Sequence, residues 1–244
     1  MSSNYFCNYN KINVYNKKSI KSDLVTQILY GEKFKIISKY GNWYKIKLHT
    51  DNYVGFIIKK KFAHTFKPTH KIINLKARIF KYPKNLVKYK SNNFLPFASK
   101  IKVLKKYKNF IMFDKNKWLH INDIKKDNYQ ERNFIKILKL FINCKYKWGG
   151  KTFNGIDCSG LLQIFFQFNN KFVPRDTKDQ IKFFNKKKFL NKNRLIFWKG
   201  HVAICINKNS LIHAYGPKKK VLIMNIKKTI NEIRQNANLE VITK

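Results

Sequence analysis

The sequence predicts an α+β protein, with two small β-barrels in its first half and a domain of helices followed by antiparallel strands in its second. Three observations carry this. Short strand-like runs, punctuated by turn pairs, fill residues 21–126. Apolar residues at helical spacing begin abruptly near residue 132. Two β-rich runs then close the chain, and helices first with strands afterwards is the order of a helix packed on an antiparallel sheet. The expected boundaries are 1–66 for the first barrel, 67–127 for the second and 128–244 for the α+β domain.

In the first segment the runs KFKIISKY, GNWYKIKLHT and DNYVGFIIKK are separated by Gly41-Asn42 and Asp51-Asn52, residue pairs that tolerate the backbone of a tight turn. The second segment repeats the rhythm in KIKVLKKYKNFIMFDKNKWLHI, broken at Lys108-Asn109 and Asp114-Lys115-Asn116. A tryptophan follows a turn in each segment, Trp43 and Trp118, which hints at two copies of one barrel type.

From Asp127 the texture changes. ERNFIKILKLFIN places Phe134, Ile135, Leu138, Phe141 and Ile142 on one helical face. A second helix is expected to begin at or near Cys158, burying Leu161, Leu162, Phe165 and Phe166. Thr177-Lys178-Asp179-Gln180 fits a capping box and opens a third helix. The strands HVAICIN and SLIHAYG follow.

Composition bounds the function. A chain of 244 residues with 44% hydrophobic and 16% aromatic content can fill real cores, which excludes a disordered basic tail. Lysine and arginine number 53 against 12 acids, a net charge of +41, and the obvious partner is a polyanion. A dedicated nucleic-acid surface concentrates its cations on one face or arm. Here lysines run through every segment mixed with Asn and Ile, the distribution of compositional drift, and no specific nucleic-acid partner is expected. Whether the charge also serves a function stays open. Four cysteines, Cys7, Cys144, Cys158 and Cys205, show neither CxxC spacing nor the density of a disulfide framework. The opening MSSNYFCNYNKINVY lacks an apolar signal-peptide core, and no run is long enough to span a bilayer. These point to a cytoplasmic, reduced protein with free thiols.

The stretch KYKWGGKTFNGIDCSGLLQIFF, residues 145–166, leads through glycines to one cysteine and then an apolar helix. A cysteine at a helix N-terminus gains from orphan amides and the dipole, both of which favour thiolate. Gly149, Gly150 and Gly155 allow a tight approach. A packed core cysteine is the plain alternative. His201 and His213 weigh against it. If the hairpin register sets Ala203 opposite His213, the two imidazoles become diagonal neighbours on one face. His201 is then a general base and His213 the group that fixes its tautomer. A one-residue slip would put them on opposite faces. The same three residues could form a zinc site with an open position, but no helical His-x-x-x-His or Cys-x-x-Cys pair anchors it. No metal and no cofactor are expected.

YKWGGKTFNGIDCSGLLQ, then VPRDT, FWKGHVAICI and LIHAYG, in that order, resemble the NlpC-type, papain-like cysteine peptidases that cut bacterial cell-wall peptides. The resemblance covers residues 132–244. It implies Cys158 as nucleophile, His201 as base and His213 as the orienting residue. It also implies a Tyr146 hydroxyl that helps bind the oxyanion beside the Cys158 amide. Asp157 and Ser159 fall where related dipeptidases contact a free substrate amine, and Arg175 falls on the Arg of the family's Pro-Arg element, a structural position. LYGEKFKII, GNWYKIKL and DNYVGFI resemble the bacterial SH3-like domain of two-barrel members, with Glu32 and Tyr53 as candidates near that amine. Such members hydrolyse the bond between γ-D-Glu and the diamino acid in released wall peptides with a free L-Ala amine. The resemblance thus implies a peptidoglycan-derived peptide as substrate and murein recycling as the setting. One departure stands out: the family's Gly-Asp-Leu is Asn193-Arg194-Leu195 here. Two rival readings remain, a wall- or polyanion-binding module on a weakened peptidase, and an acyltransferase or amidase using the same triad.

Overall fold

The computed structural model describes residues 4–186 and 195–242. The chain divides into two compact units, Met1–Gln130 with Phe168–Asn170, and Glu131–Gln167 with Lys171–Lys244.

In the first unit, an antiparallel sheet runs in the order Asn4–Phe6, Lys33–Tyr40, Trp43–Leu48, Val54–Ile58, Lys11–Tyr15, Leu24–Leu29. The expected turns are where the residue pairs place them. Tyr40 pairs with Trp43 across Gly41-Asn42, and Gly41 takes a left-handed φ of 51° that costs glycine nothing. Asp51 Oδ1 accepts the Tyr53 amide at 3.0 Å, the local bond that lets an aspartate hold a turn. Alternation along the strands sends Val14, Ile28, Phe34, Ile46, Leu48 and Ile57 into one core. The strands Asn4–Phe6 and Lys11–Tyr15 precede the run read as β-like, and Cys7 between them joins the same core. Burial pushes its thiol up to about 12.

A second pair of sheets follows. Three strands run in the order Lys100–Ile101, His70–Ile72, Ile124–Lys126, and five in the order Lys105–Tyr107, Phe110–Asp114, Lys117–His120, Lys76–Phe80, Lys90–Pro96. Lys108 and Asn116 take the left-handed conformation in the two turns expected there. The core collects Ile72, Ala77, Leu95, Ile101, Ile111 and Leu119, and also Tyr30 from the first module. The Tyr30 ring meets Phe113 edge-on at 5.5 Å, and its carbonyl accepts the Lys100 amide at 2.8 Å. The two tryptophans do not occupy equivalent places. Trp118 is buried with Phe80 and Phe110, whereas Trp43 is half-buried against the edge of Tyr15.

The second unit opens with helix α1, Phe134–Lys139, capped by Asn133 Oδ1 on the Lys136 amide at 3.3 Å. Phe134, Ile137, Leu138 and Phe141 are its buried set; Ile135 and Ile142 are only half-buried, because the helix stops before a second full turn can carry Ile142 inward. Helix α2 spans Cys158–Phe168 and is buried on nearly every side, with Phe165 the half-buried exception. Helix α3 spans Thr177–Lys186. The capping box expected at its start does not form. The Gln180 amide donates instead to Ser159 O and Pro174 O, both at 3.0 Å, a tertiary use that the local pattern does not encode. Four antiparallel strands, Leu195–Trp198, His201–Cys205, Ser210–Tyr215 and Lys220–Asn225, form the sheet in chain order. Helix α4, Ile226–Ala237, packs Ile230 and Ile233 among Trp198, Ala203, Leu211 and Tyr215 on one face of it. Asn193 and Arg194, the departure noted in the sequence, lie outside the described residues. No helix among the described residues is long and apolar enough to cross a membrane.

Candidate active site

Helix α2 begins at Cys158 for a local reason. Asp157 precedes it, and its Oδ1 accepts the Gly160 amide at 2.7 Å, satisfying a donor the first turn would otherwise leave orphaned. The other oxygen, Oδ2, accepts the Gly149 amide at 2.7 Å and a guanidinium N–H of Arg175 at 2.6 Å. One carboxylate therefore fixes both the helix start and the loop that carries Tyr146. Gly160 makes that closeness possible, since a Cβ there would stand 2.6 Å from Gly150 O and 2.7 Å from Asp157 Oδ1. Arg175 is itself buried, and a second terminal nitrogen donates to Ser159 Oγ at 2.8 Å. The guanidinium thus ties down both neighbours of Cys158.

Cys158 is 4% exposed. Its thiol faces the residues around His201, with Gly200 O at 3.9 Å. Burial pushes the thiol up to about 11 and the Asp157 charge adds to this, while bonds from the Val202 and Ser159 backbone and the Arg175 charge pull part of the way back. In this resting arrangement burial therefore favours the protonated thiol over the thiolate.

The histidines come from adjacent strands. Ile204 pairs with Ile212 and Cys205 with Leu211, and continuing that register sets Ala203 opposite His213. This is the register required for the imidazoles to meet. His201 Nε2 lies 3.0 Å from His213 Nδ1. His213 is fully buried and stacks on Tyr215, with ring centroids 4.7 Å apart. No hydrogen bond joins His201 to Cys158 in this resting arrangement; the thiol reaches the carbonyl of the residue just before the histidine instead. Both nitrogens of His213 are engaged, by His201 and by Met224 Sδ at 3.3 Å, so neither is open to ligate a metal.

Burial lowers His201 to about 4, and burial with the His201 charge lowers His213 to about 3. Unfolded histidines titrate near 6.5, so below that pH the unfolded chain takes up protons that the folded chain refuses. The stabilisation is fully present above pH 6.5 and is expected to fall away as pH drops toward about 4 for His201 and about 3 for His213. Urea midpoints measured from neutral pH downward check this. His213→Asn is expected to flatten the acid slope, and an unchanged slope would rule out a contribution from this pair.

The remaining sequence candidates fall into place as follows. Tyr146 is half-buried; burial and the nearby Cys158 and Asp157 charges raise its hydroxyl pKa, which keeps it a proton donor. Asp157 and Ser159 are buried and internally bonded, as described. Glu32 and Tyr53 belong to the first unit. The Glu32 carboxylate is buried and accepts from the Leu29 amide and, at 2.9 Å, from the Thr50 hydroxyl; Tyr53 packs half-buried against the first core. Cys205 shares the strand face of His201 and is buried, a packing role. Sequence reasoning read Gln180 only as part of a capping box, gave Arg175 a structural place and did not single out Met224. The VPRDT run was the available signal for Arg175; nothing local marks Met224.

The NlpC/P60 family model matches residues 143–238, and the bacterial dipeptidyl-peptidase Sh3 domain matches residues 14–61. The chain is 26% identical over 237 residues to a gamma-D-glutamyl-L-lysine dipeptidyl-peptidase of Bacillus cereus, spanning 82% of this chain and 70% of that protein. It is 25% identical over 229 residues to dipeptidyl-peptidase 6 of Lysinibacillus sphaericus, spanning 83% and 84%. Its fold is similar to the crystal structure of an NlpC/P60 family protein from Bacillus cereus, with a TM-score of 0.75 at 20% identity over 92% of this chain and 94% of that one. With both matches in place, the chain carries an NlpC/P60 domain over residues 143–238, around Cys158 and the two histidines, behind a bacterial dipeptidyl-peptidase Sh3 domain over residues 14–61.

Proposed function

We propose that this chain is a dipeptidyl-peptidase acting on short peptidoglycan peptides, with Cys158 as nucleophile, His201 as general base and His213 as the residue that orients it. The observation that carries the reading is the 3.0 Å His201–His213 contact beside a cysteine at the start of α2. The thiol proton passes to His201 as sulfur attacks the amide carbon. The resulting oxyanion is held by the Cys158 amide and the Tyr146 hydroxyl, donors aimed where charge develops. His201 then gives its proton to the departing amine, and the C–N bond breaks to leave an acyl-thioester. Water enters, His201 takes one of its protons, and hydroxide displaces the thiolate, which recovers that proton.

The relatives support this substrate class. One is named a gamma-D-glutamyl-L-lysine dipeptidyl-peptidase and its likeness covers 82% of this chain, which separately matches a bacterial dipeptidyl-peptidase Sh3 domain. The reading is a cut between γ-D-Glu and the diamino acid of a peptide with a free L-Ala amine, in murein recycling. Contact of that amine with Asp157 would require the carboxylate to share an oxygen already committed to Gly149, Gly160 or Arg175.

Incubation with L-Ala-γ-D-Glu-diaminopimelate, its L-lysine counterpart and their N-acetylated forms tests this. Release of L-Ala-γ-D-Glu from the free-amine forms alone is expected. Equal cleavage of the acetylated peptides would remove amine recognition, and no cleavage of any of them would favour a binding module or an acyl-transfer role.

A further inference from the structure

The His201–His213 distance leaves open which nitrogen carries the proton. Burial keeps both rings neutral, and a neutral imidazole has one N–H and one bare nitrogen. Across their 3.0 Å contact one ring donates and the other accepts. The two possible arrangements are not equivalent for chemistry. If His213 Nδ1 donates, His201 Nε2 is bare, and the proton of His201 sits on Nδ1, the nitrogen left to serve the thiol. That tautomer cannot take a proton there. If His201 Nε2 donates, its Nδ1 is bare and ready to do so.

The far side of His213 distinguishes them. Leu211 pairs with Met224 and His213 with Leu222, so Met224 is a diagonal neighbour of His213 on the same face of the sheet. Its Sδ lies 3.3 Å from His213 Nε2. A thioether has lone pairs and no proton, so it can only accept. A bare Nε2 would press lone pair against lone pair at a fully buried ring, where water cannot compensate. An Nε2–H instead makes an N–H···S bond. The proton of His213 therefore belongs on Nε2, its Nδ1 is the acceptor, and His201 Nε2 is the donor.

We propose that Met224 is a positioning residue for the reaction: by accepting from His213 it sets the tautomers of both histidines in series and leaves His201 Nδ1 bare as the base. The role rests on the reading of His201 as general base; the tautomer assignment itself does not. A carboxylate or carbonyl more often serves as the outermost acceptor for such a histidine. Here a sulfur on the next strand takes that place, and its softness makes the bond weak but directional in purpose, because only one partner can give a proton.

The experiment is long-range ¹H–¹⁵N correlation NMR of the full chain, labelled at histidine, without substrate near pH 7.5. Both His201 and His213 are expected as Nε2–H tautomers. The chain has three methionines, so global replacement by norleucine, which keeps the shape and removes the sulfur, is a practical companion to Met224→Leu. Either change is expected to shift His213 toward a tautomer mixture and to lower kcat about tenfold or more, the scale on which lost orienting partners act on a histidine. Selenomethionine, which retains an acceptor, is expected to preserve both the spectrum and the rate. A His213 found as Nδ1–H in the unaltered chain overturns the proposal, as does a norleucine protein with unchanged tautomers and rate. The expected spectrum in a chain that cleaves no peptide would instead overturn the catalytic reading while leaving the tautomer order standing.

Discussion

Cys158→Ala is expected to abolish release of L-Ala-γ-D-Glu, lowering kcat by about 10⁴-fold or more, the usual scale for losing a nucleophile that acts as a unit with its base. The thermal midpoint is expected to change little, because the sulfur leaves a small gap beside a helix start that Asp157 and Arg175 continue to hold. Mass-spectrometric assay of the tripeptide alongside a thermal melt separates the two quantities. Activity retained in the alanine variant would end the assignment of Cys158. Activity lost together with the fold would show that the thiol is part of the core packing, which its 4% exposure makes a real competitor.

Arg175→Met is expected to cost about 3–5 kcal/mol of unfolding free energy, the range for breaking a buried ion pair from one side. The side chains are 1% and 6% exposed and meet at 2.6 Å, so methionine would strand the Asp157 charge with only amides and a hydroxyl around it. Adding Asp157→Asn removes that charge while keeping an acceptor for the cap. The double variant is therefore expected to be more stable than Arg175→Met alone. Denaturant titration of the parent chain, both single variants and the double variant gives the coupling directly. A loss below about 1 kcal/mol in the single variant would mean that solvent reaches Asp157, and would open that carboxylate to the substrate-amine role that its present bonds oppose.

The two expectations differ in how visible their basis was in the residues. The position of Cys158 at a helix start could be read from its neighbours, because a short side chain capping an apolar run is a local event. The turns at Gly41-Asn42 and Lys108-Asn109 could be read for the same reason. The meeting of His201 and His213 was legible as a condition: alternation fixes which residues share a face, and the register decides whether those faces coincide. Arg175 was a different case. Its place in the chain is 17 residues beyond Cys158, and only the return of the non-helical segment after α2 brings the guanidinium to Asp157 and Ser159.

Gln180 shows how a sound local pattern loses to packing. Thr177 and Gln180 have the spacing of a capping box, yet the amide bonds Ser159 O and Pro174 O, because burial offers carbonyls that would otherwise remain without it. Tyr30 shows the same from the apolar side, completing a core whose other residues begin at Ile72. The sequence by itself determined the α+β order, the turns, the helix that begins at Cys158 and the strand faces of both histidines, since each depends on residues a few positions apart. Only the tertiary structure decided the register, the Arg175 tie across the nucleophile and the sulfur of Met224 behind His213. Those depend on contacts between distant segments, whose choice is made by packing and by the need to satisfy buried polar groups rather than by any local period.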